Sequence, residues 1–135
     1  MDYKCFGAER LPEVRAMYEE SGWRAYLGDD GKLRRTLANS LYMLGAFEGE
    51  TLVGFVRCVG DGEHIVYVQD LLVSEERRRK GIGRELMRRV FAEFTHVRMI
   101  TLMTDAGDER ANAFYRSMGM KPYENGGLAG YFHYR

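Results

Sequence analysis

Arg78, Gly81 and Gly83 stand just after the apolar run Leu71-Leu72-Val73 and just before a segment with a helical pattern. Val66 to Val73 is rich in β-branched and apolar residues and ends at Ser74-Glu75-Glu76, as a strand entering a loop does. After Gly83, Leu86, Met87, Val90, Phe91 and Phe94 recur at helical spacing, so the glycines lie at a helix N-terminus. There the first backbone N–H groups lack intrahelical partners and the helix dipole is positive, two effects that favour an anion. Glycine lets a phosphate approach the backbone closely. Arg78, Arg79, Lys80, Gly81, Ile82, Gly83 and Arg84 are therefore the expected phosphate cradle. Other phosphate loops fail on residue type. A Walker loop needs Lys-Ser/Thr after its last glycine, where Arg84-Glu85 stand, and the dinucleotide fingerprint needs a third glycine where Leu86 stands.

Arg78-x-x-Gly81-x-Gly83 resembles the (Gln/Arg)-x-x-Gly-x-(Gly/Ala) pattern of the GNAT superfamily of N-acetyltransferases. Two further segments carry the resemblance in the right order. The strand before the loop reads Gln69-Asp70-Leu71-Leu72-Val73, similar to a bacterial and plant subgroup that includes serotonin N-acetyltransferase-like proteins. Downstream, Phe114-Tyr115-Arg116-Ser117-Met118-Gly119-Met120 resembles the family's Phe-Tyr-x-x-x-Gly-Phe segment. The resemblance spans nearly the whole chain and implies acetyl-CoA as acetyl donor, its pyrophosphate on the cradle. It also implies that the backbone of Leu71, Leu72 and Val73 pairs with the pantetheine arm, which lies between two splayed parallel strands.

Acetyl transfer from a thioester to an amine needs a neutral amine, a polarised carbonyl and a proton for the departing thiolate. The resemblance assigns the last role to Tyr115, and a phenol with pKa near ~10 can donate at neutral pH. A helix tyrosine packed into the core is the alternative. Asn112 is a candidate for the cofactor's amide arm, although many family members carry their Asn seven residues before the tyrosine, where this chain has Asp108. For the base, alternation sets Tyr67, Gln69 and Leu71 on one face of the strand and Val68, Asp70 and Leu72 on the other. Gln69 cannot be a base and is a candidate substrate contact. Asp70 is the strand's one carboxylate and is read either as the base or as a buried group hydrogen-bonded to backbone. Asp105, at the end of the next strand, is a second candidate or a plain turn aspartate. In the superfamily the segment between the first two helices covers the acceptor site, which makes Trp23 and Tyr26 candidate walls for the amine or aromatic plugs of the core. Asp29 and Asp30 beside them could attract a cationic amine, though aspartates are common in turns.

These residues need elements to position them. Tyr3 to Phe6 suits a short strand; Leu11, Val14, Met17 and Tyr18 predict a helix to about Ser21, and Leu33, Leu37 and Leu41 a second over roughly Lys32 to Ser40. Leu41 to Phe47 and Thr51 to Val59, joined by Glu48-Gly49-Glu50, predict a hairpin, and Gly60-Asp61-Gly62-Glu63 turns into the strand from Ile65 to Val73. A strand at Val97 to Met103, a helix at about Asp108 to Met118 and apolar segments at Met120 to Tyr123 and Tyr131 to Tyr134 follow. The expected class is α/β (α+β): a mixed, mostly antiparallel sheet of six to seven strands with flanking helices.

At 135 residues the chain is expected to form one domain, residues 1–135. Acidic and basic side chains balance at 20 each, which gives no field toward nucleic acid or an anionic membrane. Cys5 and Cys58 lack metal or disulfide-framework spacing, so free thiols in a reducing cytoplasm are expected. His64, His96 and His133 share no metal-ligand spacing, and no apolar run approaches a membrane span. The reading is an acetyl-CoA-dependent N-acetyltransferase acting on the primary amine of a small molecule by direct attack. A peptide or protein acceptor and a non-catalytic acyl-CoA binding module are the alternatives, and a homodimer is compatible with all three.

Overall fold

A computed structural model describes all 135 residues, which form two compact units, Met1–Met103 and Thr104–Arg135. The first unit holds a five-stranded sheet in the order β1-β2-β3-β4-β5: β1 Asp2–Cys5, β2 Tyr42–Glu48, β3 Thr51–Gly60, β4 Ile65–Val73 and β5 Met99–Leu102. The first four strands pair antiparallel in sequence order, and β5 joins β4 in parallel. A parallel neighbour cannot follow by a tight turn, and the crossover is the helix α3, Ile82–Glu93.

Five of the seven residues of β2 and seven of the ten of β3 are buried in unbroken runs, the mark of strands covered on both faces. One face carries α1, Leu11–Glu20, and α2, Asp30–Ala38. Their buried Leu11, Val14, Met17, Tyr18, Leu33 and Leu37 cluster with Met43, Phe47, Leu52, Phe55 and Leu72 of the sheet. Pro12 occupies the first turn of α1, where its missing N–H costs nothing. Asp29 caps α2 by accepting from the Lys32 backbone N–H at 3.0 Å. α3 packs on β2, β3 and β4 through Ile82, Leu86, Met87 and Val90. Each such side chain contributes about 1.5–3 kcal/mol by burial, enough together to fix the start of α3 against the sheet.

The second unit contains α4, Glu109–Ser117, capped by Asp108, whose side chain accepts from the Ala111 N–H at 3.0 Å. A 3₁₀ turn follows at Tyr123–Gly126. The sequence pattern predicts six to seven strands and the structure has five, because neither apolar segment after α4 is a strand. Pro122 has no N–H to give a ladder and leads into the 3₁₀ turn, and Gly126, Gly127 and Gly130 break the chain beyond it. Tyr131, Phe132 and Tyr134 are 95%, 73% and 78% exposed, so no sheet face holds them. No helix is long and apolar enough to cross a membrane.

Candidate active site

β4 outruns its parallel neighbour. The β4–β5 pairing runs from Ile65↔Met99 to Val68↔Leu102 and stops there, while β4 continues through Gln69, Asp70, Leu71, Leu72 and Val73. All but Gln69 keep β3 on one side, with Arg57↔Asp70, Val56↔Leu71, Phe55↔Leu72 and Gly54↔Val73, and none of the five has a strand on the other. An edge of this kind is where an extended amide-bearing chain adds like a strand. Leu71, Leu72 and Val73, the expected pantetheine contacts, all lie on it.

The edge runs straight into the loop. Ser74 leads into a 3₁₀ turn at Glu75–Arg77, and α3 starts with Gly81 as its N-cap in the left-handed region at φ 81°. A Cβ on Gly81 would meet nothing within 4 Å, so the space above this backbone is open. Arg79 is the one non-glycine residue with positive φ, 67°, which curls the loop around the helix end and costs of order 1–3 kcal/mol. Arg77 is engaged elsewhere, its Nε donating to Glu48 Oε1 at 2.6 Å. Arg78 folds back through Nε onto the Val73 carbonyl at 3.2 Å. Glu85, an acid in the first turn, would repel a phosphate, but Arg88 and Arg89 bind it at 2.6–3.0 Å and hold its pKa down at about 2. Open backbone at a helix N-terminus, with Arg78, Arg79 and Lys80 on the loop, fits a pyrophosphate.

Asp70 sits at the centre of a buried polar cluster. It is 1% exposed, faces Arg57 across the β3–β4 ladder, and its Oδ2 accepts from Arg57 Nε at 2.6 Å and from the Tyr18 hydroxyl at 2.7 Å. Its Oδ1 accepts from the Tyr26 hydroxyl at 2.9 Å. The Tyr26 oxygen in turn accepts from Arg57 Nη2 at 3.0 Å and from Gln69 Nε2 at 3.2 Å. Arg57 Nη1 reaches Ser40 Oγ at 3.1 Å. Burial alone would lower the Arg57 pKa, but Asp70 beside it shifts the net upward. Burial, then the Asp70 charge, push both the Tyr18 and Tyr26 phenols up, so they stay protonated. A register shift at Arg57/Cys58 leaves Gln69 without a β3 partner, and this bulge sets the exposed Gln69 beside the buried Asp70.

The structure thus brings Asp70, Gln69 and Tyr26 together. Tyr26 stacks on Tyr18 with centroids 4.1 Å apart, and Trp23 stacks on the same ring at 6.1 Å. Both pack against the core cluster while remaining partly exposed. The carboxylate's partners are side chains and not the backbone groups expected for a buried acid. Asp29 is a helix cap and Asp30 pairs with Arg15. Sequence reasoning missed Arg57, Tyr18 and Ser40. Arg57 had a signal: it is the one charged residue in the apolar run from Leu52 to Val59.

In the second unit, Tyr115 and Asn112 lie on α4. Burial, then the Asp108 charge, raise the Tyr115 pKa, which keeps the phenol protonated at neutral pH as a proton donor must be. Asn112 spends both amide N–H groups on the loop before the helix, donating to the carbonyls of Asp105 at 2.9 Å and Asp108 at 2.7 Å. Only its carbonyl oxygen is left to accept. Asp105 is exposed and part of that same turn.

The fold is matched in known proteins. The family model described as "Acetyltransferase (GNAT) family" matches residues 8–120. A GNAT family acetyltransferase from Streptococcus pneumoniae is 31% identical, with 99% of this chain and 97% of that one covered at a TM-score of 0.86. A probable acetyltransferase from meticillin-resistant Staphylococcus aureus shares the fold at 18% identity, covering 98% and 100%, with a TM-score of 0.77. So does an aminoglycoside acetyltransferase from an uncultured soil sample, solved with sisomicin, at 19% identity, 99% and 95% coverage and a TM-score of 0.75. No curated protein sequence matches the chain. Loop, sheet and family match agree over most of the chain's length, and it belongs to the GNAT family of acetyltransferases.

Proposed function

We propose that the protein, acting as a single domain of residues 1–135, transfers the acetyl group of acetyl-CoA to the primary amine of a small molecule. The observation that carries this is the unpaired β4 edge from Gln69 to Val73, which leads directly to the open backbone at Gly81. The backbone of Leu71, Leu72 and Val73 pairs with the pantetheine arm, and a backbone N–H of that stretch polarises the thioester carbonyl in the manner of an oxyanion hole. Backbone N–H groups from Arg78 to Gly83 take the pyrophosphate, with Arg78, Arg79, Lys80 and Arg84 supplying positive charge. The Asn112 side-chain carbonyl accepts from an amide N–H of the arm.

The amine attacks the thioester carbon directly, so the N–C bond forms as the C–S bond breaks. Asp70 is the final base for the amine proton, and Tyr115 protonates the departing sulfur. Trp23, Tyr26 and Gln69 form the acceptor wall. Partly exposed aromatic rings beside a buried carboxylate suit a compact amine better than a long polypeptide, and a fold neighbour crystallised with sisomicin is in keeping with such an acceptor. Two free cysteines, one of them exposed, suit a reducing cytoplasm. The test is release of free coenzyme A thiol from acetyl-CoA across arylalkylamines, polyamines, aminoglycosides, amino acids and peptides. Turnover with a small amine is expected. Turnover with peptides alone, or with nothing, would overturn the reading.

A further inference from the structure

Asp70 is too deeply buried to meet an acceptor itself. Its Oδ2 is taken by Arg57 and Tyr18, and its Oδ1 points to a single partner, the Tyr26 hydroxyl. Tyr26 is half-buried, and the hydrogen bonds about it run from buried to exposed. Tyr18 to Asp70 is fully inside, Tyr26 to Asp70 is partly so, and Gln69 to Tyr26 lies at the surface and at 3.2 Å is the longest of the set. Any proton that enters this cluster from the solvent side meets the Tyr26 oxygen first.

That oxygen already donates once and accepts twice, which fills a phenol's capacity. Of its two donors, Arg57 Nη2 belongs to a side chain 4% exposed and ion-paired, whereas Gln69 Nε2 is neutral and on an exposed residue. Gln69 is the one an incoming N–H can displace.

Resting on the function proposed above, we propose that the Tyr26 hydroxyl is the group the acceptor amine touches, in the place Gln69 Nε2 holds, and that it relays the amine proton to Asp70. As the N–C bond forms, the amine N–H bond breaks and its proton goes to Tyr26 Oη, while Tyr26's own proton passes to Asp70 Oδ1. The C–S bond breaks with its electron pair on sulfur, and the thiolate takes a separate proton. Asp70 becomes neutral, Arg57 remains cationic, and the relay run in reverse returns the proton to solvent after the products leave. Neither a free phenolate nor a carboxylate open to water is required. Burial and the Asp70 charge, which disfavour the phenolate, agree with a hydroxyl that passes protons on without ionising.

Tyr26→Phe tests this, because the ring's stack on Tyr18 at 4.1 Å should survive loss of one oxygen. With acetyl-CoA as donor and 2-phenylethylamine and spermidine each tried as amine, kcat should fall about a hundredfold, within the range general-base loss costs. KM for acetyl-CoA should stay within about threefold, the split expected when a transition-state contact alone is lost. A purely structural role would move both constants or the melting temperature. Single-turnover rates of the unaltered enzyme in H₂O/D₂O mixtures give a check that needs no variant: two relayed protons bow the plot, and a straight line overturns the relay. If the unaltered enzyme is active and Tyr26→Phe, folded, keeps its turnover, the relay is overturned and the acetyltransferase reading stands. If the unaltered enzyme uses neither these amines nor any other small amine, both are overturned.

Discussion

A carboxylate ion-paired to arginine and held by two phenols is costly to change alone. Replacing Asp70 with Asn leaves the Arg57 charge buried opposite a neutral group, and breaking a buried pair in this way costs about 3–5 kcal/mol. Urea unfolding of Asp70→Asn should show that loss, and a double Arg57→Met/Asp70→Leu change should lose much less. Equal losses in the single and double variants would mean that the pair is not what the substitution breaks. Turnover of Asp70→Asn, measured where it is still folded, should fall about ten- to a thousandfold. Tyr115→Phe is the complementary case. It removes one oxygen and keeps the ring beside Phe114, with centroids 5.2 Å apart, so packing should survive. Steady-state kinetics should show about a hundredfold loss in kcat at little change in acetyl-CoA affinity, and unchanged turnover would make Tyr115 a packing residue. That Gly81 opens α3 and that Tyr115 lies on a helix after β5 was legible because each sits in a short local pattern. Arg57 and Tyr18 were not, because their meeting with Asp70 depends on strand register and on a helix laid over the sheet, neither of which spacing reports.

The turn that joins β3 to β4 shows what fixes an element. Asp61 Oδ1 accepts from the backbone N–H groups of Glu63, His64 and Ile65 at 2.8–3.0 Å, and those bonds hold its pKa down at about 2. Its ordinary value is near ~3.9, so as pH falls the unfolded chain takes up the proton first. The contribution of Asp61 is therefore fully present above about pH 4 and is lost as pH falls toward about 2. Thermal melts of Asp61→Asn should fall less steeply than the unaltered protein across that window, and parallel curves would contradict the assignment. The sequence pattern marked Gly60-Asp61-Gly62-Glu63 as a turn on its glycines, and the structure adds that the aspartate organises it. The hairpin and the α3 crossover were legible because period and punctuation are local. The strand count was not: Tyr131 to Tyr134 has the composition of a strand, but a strand exists only where another offers it a ladder.

Across the whole molecule, net charge is zero and no general field draws substrates in, so recognition of an anionic donor falls to local groups on the loop between β4 and α3. That the loop holds the donor is the central claim, and coenzyme A titrated by calorimetry into the unaltered protein and Gly81→Asp tests it most directly. Gly81 has φ 81° with open space above it, and Asp is among the residues that tolerate this region, so the variant should fold and match the parent by circular dichroism. Its carboxylate then stands where the pyrophosphate would lie. The expected result is a clear binding isotherm for the unaltered protein and none for Gly81→Asp. Equal affinity for coenzyme A in the two folded proteins would contradict it.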